Sequence, residues 1–124
     1  MKLIASNSRA NYDYSFSQKI DAGIVLTGPE VKSLRYNASS IRGSYIVEKN
    51  GELWIANCHI KKYLNSNVSN YDPTRYKKLL VTKKEYNKVI GLLKQGGYSL
   101  IPISLYFNEK GLAKIIFGLG KGKK

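Results

Sequence analysis

The stretch Ser44-Tyr45-Ile46-Val47-Glu48-Lys49-Asn50-Gly51-Glu52-Leu53-Trp54-Ile55-Ala56-Asn57-Cys58-His59-Ile60 decides the fold class. Asn50-Gly51 is the residue pair that a two-residue turn with positive φ requires, and apolar, β-branched and aromatic residues flank it. Ser44 to Glu48 and Leu53 to Ile60 are therefore predicted to be the arms of a β-hairpin. On the N-terminal side, Tyr14, Phe16 and Ile20 stand at even spacing in a segment that runs on to Ile24-Val25-Leu26. On the C-terminal side, further strands are expected at 76 to 81, 99 to 107 and 112 to 119.

Two helices interrupt this pattern. Thr82 and Glu85 make a capping box, Tyr86, Val89, Ile90 and Leu93 fall at i, i+3, i+4 and i+7, and Gly96-Gly97 supplies the stop, so 82 to 95 is a helix with that stripe inward. Pro29 suits the first turn of a shorter helix at 29 to 36, with Val31 and Leu34 inward. The polar run Asn65 to Asn70 reads as a surface loop. About six strands, two or three short helices and no βαβ alternation predict a mainly β fold, a small antiparallel barrel. No repeat or linker divides the chain. Residues 1 to 120 read as one domain, and 121 to 124 as the start of a basic tail.

At 124 residues and 43% hydrophobic, the chain is large enough to bury one core. No run of about 18 apolar residues is present, so no membrane span is expected. The apolar stretch at Leu3-Ile4-Ala5 is too short for a secretory signal, which points to the cytoplasm. The single cysteine, Cys58, has no partner for an internal disulfide.

The charge is lopsided. Residues 1 to 60 carry seven Lys/Arg against five acids, whereas residues 61 to 124 carry fourteen against three, giving +2 and +11 of the total +13. An AT-rich genome also enriches lysine, but drift would not gather it in one half. Such an excess repels itself unless a polyanion neutralises it, and nucleic acid is the leading partner class.

Catalytic and metal chemistry find little support. Cys58 and the only histidine, His59, are adjacent, and neighbours on a strand point to opposite faces, so a nucleophile and base pair is not expected. One His, one Cys and eight scattered carboxylates give no ligand spacing, so no metal or cofactor is expected. Gly118, Gly120 and Gly122 lack the following helix of a phosphate loop and read as flexibility near a chain end. In Asp72-Pro73-Thr74-Arg75-Tyr76-Lys77-Lys78, three cations surround a tyrosine just before Leu79-Leu80-Val81. This reads either as a solvated strand edge or as a phosphate-contacting rim of Arg75, Lys77 and Lys78.

Taken together, Asn7-Ser8-Arg9-Ala10, Asp21 to Arg35, Asp72-Pro73-Thr74-Arg75 with Lys78-Leu79-Leu80, Leu105 to Gly111 with Ala113-Lys114, and Gly122-Lys123-Lys124 resemble the small protein B family, the tmRNA-binding proteins of trans-translation. The match runs in order over nearly the whole chain. The resemblance implies an oligonucleotide-binding-type barrel without catalysis. It also implies a monomer that binds the tRNA-like domain of tmRNA and escorts it, with elongation factor Tu and GTP, into ribosomes stalled without a stop codon.

By the same resemblance, RNA contacts fall on Asn7, Arg9 and Asp21, with Lys78, Leu79, Leu80 and Asn108 as weaker matches. Glu30, Lys32 and Arg35 are divided between barrel-closing ion pairs and RNA. Tyr45, Lys121, Lys123 and Lys124 are turned toward the small ribosomal subunit. The chain departs from the family pattern at Asp21, where Glu is usual, and at Asn11-Tyr12, where a basic residue and His are usual. Family members also continue past Gly-Lys-Lys into a longer basic tail. The competing reading is a ribosomal or general single-stranded RNA-binding protein on a similar barrel.

Overall fold

The Asn50-Gly51 turn forms, with both residues at positive φ (55° and 79°), and joins β3 (Tyr45–Lys49) to β4 (Glu52–Ala56) in an antiparallel ladder. The structure is a computed structural model that describes residues 1–37, 39–63 and 71–122. The second arm ends four residues earlier than expected, because Asn57 takes a left-handed φ of 58° and turns the chain out of the ladder. Around the hairpin stand β1 (Lys2–Ser6), β2 (Tyr14–Ile24), β5 (Lys77–Leu80), β6 (Ser99–Phe107) and β7 (Ala113–Gly122), with α1 (Ala10–Asp13), α2 (Gly28–Tyr36) and α3 (Lys83–Gln95) in the connections. The expected loop at 65 to 70 lies outside the described residues.

One seven-stranded antiparallel sheet results, in the order β1-β6-β7-β2-β5-β4-β3. Mainly β with three helices is therefore correct, but the described sheet has two unpaired ends, β1 and β3, instead of a closed ladder. The additional strand is β1, which covers β6 only at Ser104 to Phe107. Elsewhere β3 comes within 8 Å of β6, Cα to Cα. Alternation sends Ile20, Ala22, Ile24, Leu53, Ile55, Leu79, Ile115, Phe117 and Leu119 into a single buried cluster, which Leu34 of α2 and Val89 of α3 close. No described helix is long and apolar enough to cross a membrane.

Both longer helices start on capping boxes, Thr82 with Glu85 as expected and Thr27 with Glu30 in addition. The inward face of α3 differs in detail from the expected stripe. Val89 is fully buried, Tyr86, Leu92 and Leu93 pack against the core, and Ile90 is partly exposed. Val89→Ala is thus expected to cost about 2 kcal/mol and Ile90→Ala about half of that by urea unfolding, because only the first leaves a cavity in the core.

Gly118 and Gly120 are not loose chain-end residues. They lie inside β7 beneath the Phe16 ring, where an added Cβ would come within 2.5 Å and 2.8 Å of Phe16 Cδ1. Their lack of a side chain lets the ring pack closely against the strand.

Candidate nucleic-acid interface

On β2 the residues between the core-facing ones, Lys19, Asp21 and Gly23, face outward, and the register extends this outer face across the sheet. One row runs Leu3, Tyr106, Lys114, Gly23, Leu80, and the next runs Ser6, Ser104, Ile116, Asp21. Asp21 is the chemical centre of this face. Its Oδ2 accepts a hydrogen bond from the Tyr106 hydroxyl at 2.7 Å, and the Lys114 ammonium lies 3.9 Å from Oδ1. Tyr106 is 7% exposed while half of the Asp21 side chain (51%) meets solvent, so a buried phenol anchors an open carboxylate. The hydrogen bond to Asp21, then burial, pushes the Tyr106 phenol above its ordinary range, which keeps the donor protonated.

The geometry gives this acid a use beside a polyanion. With Oδ2 taken by Tyr106 and Lys114 near Oδ1, the half-exposed carboxylate still has lone pairs that can accept from a 2′-hydroxyl or from the amino groups of an unpaired base. Leu80 and Val25, 54% and 44% exposed, add apolar surface of the kind a base or ribose covers. Gly23 keeps the floor low, since a Cβ there would press to 3.3 Å on the Leu80 Cβ.

Of the other expected contact residues, some are displayed and others are occupied inside the fold. Arg9, with a side chain 65% exposed, pairs with Asp13 at 3.3 Å and lies over the Tyr12 ring at 4.8 Å. Lys32 and Arg35 are exposed one turn apart on α2. Lys78 is half-buried on the outer face and pairs with Glu52. Asn7 serves the frame: its Nδ2 donates to the Pro102 carbonyl at 3.2 Å and its N–H to Ile103 at 2.8 Å, tying the end of β1 to the bulge in β6. Asn108 likewise holds the β6–β7 turn, with Oδ1 accepting from the N–H groups of Lys110 and Leu112.

Two members of the expected basic rim, Arg75 and Lys77, and their neighbour Leu79 need correction. Lys77 is fully buried, and its ammonium donates to the carbonyls of Cys58, Pro73 and Arg75 at 2.9, 3.4 and 3.1 Å, which uses all three N–H groups. Burial pulls its pKa down. Leu79 is a core residue, 2% exposed. Arg75 forks onto the buried Glu30, with Nε 2.9 Å from Oε2 and Nη2 on Oε1, and reaches the Val25 and Tyr76 carbonyls as well. Glu30 is thereby a structural acid, 1% exposed, joining the start of α2 to the start of β5. Lys77 thus has no free donor for phosphate, and Arg75 spends four of its five N–H groups inside the fold.

The residues expected to face the ribosome lie elsewhere. Tyr45, 49% exposed, starts the edge strand β3. Lys121 lies over the Tyr98 ring at 4.7 Å, seven residues along β7 from Lys114 and so about 23 Å from it. Lys123 and Lys124 lie outside the described residues. Cys58 is buried with its thiol pushed up, chiefly by desolvation, while His59 is exposed, so the two side chains part as expected although the segment is no longer strand.

The chain as a whole is similar to known proteins. The profile of the family described as SmpB protein matches residues 4–124. An SsrA-binding protein of Ehrlichia canis is 48% identical over all of this chain and 84% of its own length, and one of Nitrobacter hamburgensis is 44% identical over all of this chain and 79% of its own. A solved chain described as "tmRNA-SmpB: a journey to the center of the bacterial ribosome" superimposes with a TM-score of 0.76 at 42% identity, covering 96% of this chain and 83% of that one.

Proposed function

The chain belongs to the SmpB family, and from that membership we propose that it is an RNA-binding adaptor of trans-translation, gripping the tRNA-like domain of tmRNA and bringing it to ribosomes stalled on messages that lack a stop codon. The observation that carries the reading to this chain's own residues is the exposed Asp21 carboxylate, anchored by Tyr106 and flanked by Lys114, on a sheet face that also displays Leu80 and Val25. Arg9, Asp21, Lys32, Arg35, Lys78, Leu80 and Lys114 are the proposed direct contacts. Asn7, Arg75, Lys77 and Asn108 position them. Tyr45 and Lys121, remote from Asp21, are assigned to the small ribosomal subunit.

The approach of β3 to β6 supports a barrel of oligonucleotide-binding type in which β3 and β6 meet without a ladder and β1 adds a seventh strand outside it. In this reading residues 1 to 120 act as one domain, a cytoplasmic monomer working alongside elongation factor Tu and GTP. It uses no metal and performs no catalysis.

Competition between tmRNA and bulk tRNA in moderate salt tests the proposal. Preference for tmRNA is expected, whereas equal binding of any single strand would mark a general RNA-binding protein. Affinity should also fall with salt, because each phosphate neutralised releases counterion. Lys114→Ala should flatten the slope of log affinity against log salt by something under one unit, and Lys77→Ala, measured where it remains folded, should leave it unchanged.

A further inference from the structure

We propose that the groove between α3 and the end of β5 is a second RNA site, which takes one unpaired nucleotide of the RNA whose main contacts lie around Asp21. The groove opens where the β4–β5 ladder ends. That ladder stops at Leu53–Leu79, and beyond it Gly51 and Glu52 line one side while Leu80-Val81 lead into α3 on the other. The space left is about 430 Å³, within the range of small-ligand pockets.

Its lining suits a nucleotide. Leu80 and Val81 give an apolar floor, and Tyr86 gives an aromatic wall fixed by its hydroxyl, which donates to Glu48 Oε2 at 3.0 Å. The Asn87 amide offers a donor and an acceptor side by side, the pattern that reads a base edge. Lys83 at the mouth supplies a cation for the phosphate, and the positive end of the α3 dipole lies at the same place. Among the described residues the Asn87 and Lys83 side chains make no hydrogen bond or ion pair, so both remain available. The acids nearby do not oppose this: Glu52 is neutralised by Lys78, and Glu48 is engaged by Tyr86.

Continuity selects the occupant. Leu80 belongs both to the outer row through Gly23 and to the groove, so a strand crossing the Asp21 face arrives at the groove mouth. Unpaired bases, not duplex, are what such a pocket can take, because they can be splayed out of a stack. The inference rests on the proposed tmRNA reading.

The test uses the 124-residue chain and the tRNA-like domain as probe. Asn87→Ala, which changes no charge and favours the helix, is expected to weaken binding about five- to thirtyfold with an unchanged salt slope. Lys83→Ala should weaken it and flatten the slope, while Lys84→Ala, one residue away and outside the groove lining, should do less than half as much. A 5-iodouridine placed at unpaired positions of the RNA should photocrosslink to Tyr86 from one of them. Wild-type affinity in Asn87→Ala, or equal effects of Lys83→Ala and Lys84→Ala, overturns the groove while leaving the main site standing. Wild-type protein that does not prefer tRNA-like RNA sinks the underlying reading instead. A variant that keeps RNA affinity but loses ribosome association makes the groove protein-facing and likewise overturns the proposal.

Discussion

Arg75→Ala is expected to lower the unfolding free energy by about 3 kcal/mol while leaving the salt slope of RNA affinity unchanged. Removing the guanidinium strands Glu30, which is 1% exposed and, among the described residues, keeps only the Thr27 N–H, 2.8 Å from Oε1, as a hydrogen-bond donor. An uncompensated buried carboxylate costs roughly 3 to 5 kcal/mol, and the lower end applies because the Arg75 side chain is one-third exposed (34%) and the pair is partly screened. Arg75→Lys should fall between, since a point charge cannot reproduce the two parallel bonds of the fork. The pair Glu30→Gln with Arg75→Met should unfold at higher urea than Arg75→Ala alone, because it leaves no charge buried. A stable Arg75→Ala protein with a flattened salt slope would return Arg75 to the phosphate-contacting rim.

That reversal of role shows what kind of information the amino-acid order carries. The hairpin at Asn50-Gly51 and the capping box of Thr82 with Glu85 are legible because their physics is local, closed within a few residues. Arg75 and Lys77 are not. A cation before an apolar run looks the same whether it rims a strand or satisfies buried acceptors, and the deciding partners, Glu30 and the Cys58 carbonyl, lie 45 and 19 residues away. The strand β1 has the same difficulty. Lys2-Leu3-Ile4-Ala5-Ser6 has too little pattern to declare itself, and its pairing partner begins at Ser104. For Gly118 and Gly120 the sequence shows permissive residues near an end, while the reason for them is the ring of Phe16 on another strand.

The functional face divides the same way. Asp21 is legible as a candidate only through family resemblance, because nothing local makes an acid attractive to RNA, and its anchor Tyr106 is 85 residues distant. Lys114 lies inside a matched block that gives it no role, and only the sheet register sets it beside Gly23. The groove on α3 had no sequence signal, since Lys83 and Asn87 are ordinary exposed helix residues until the ends of β4 and β5 leave a space beside them.

Asp21→Ala is expected to weaken binding of the tRNA-like domain by about 1 to 3 kcal/mol, roughly five- to 150-fold, with no loss of salt slope. The sign is what makes the test strong. Deleting a negative charge raises the net charge of the protein and releases the Lys114 ammonium, 3.9 Å away, so electrostatics alone predicts tighter binding to any polyanion. A loss therefore has to come from acceptor contacts that the carboxylate makes to base amino groups or 2′-hydroxyls, and it should be clearest in moderate salt, where the freed lysine helps least. Tyr106→Phe should lose a smaller part of the affinity, because it releases Oδ2 without removing Oδ1 and lets the carboxylate rotate among orientations of which few suit the RNA. A filter-binding series over both variants and bulk tRNA checks the assignment. If Asp21→Ala binds tmRNA and bulk tRNA equally well and more tightly than the wild type, Asp21 is a repulsive surface charge and the recognition centre lies elsewhere on the face.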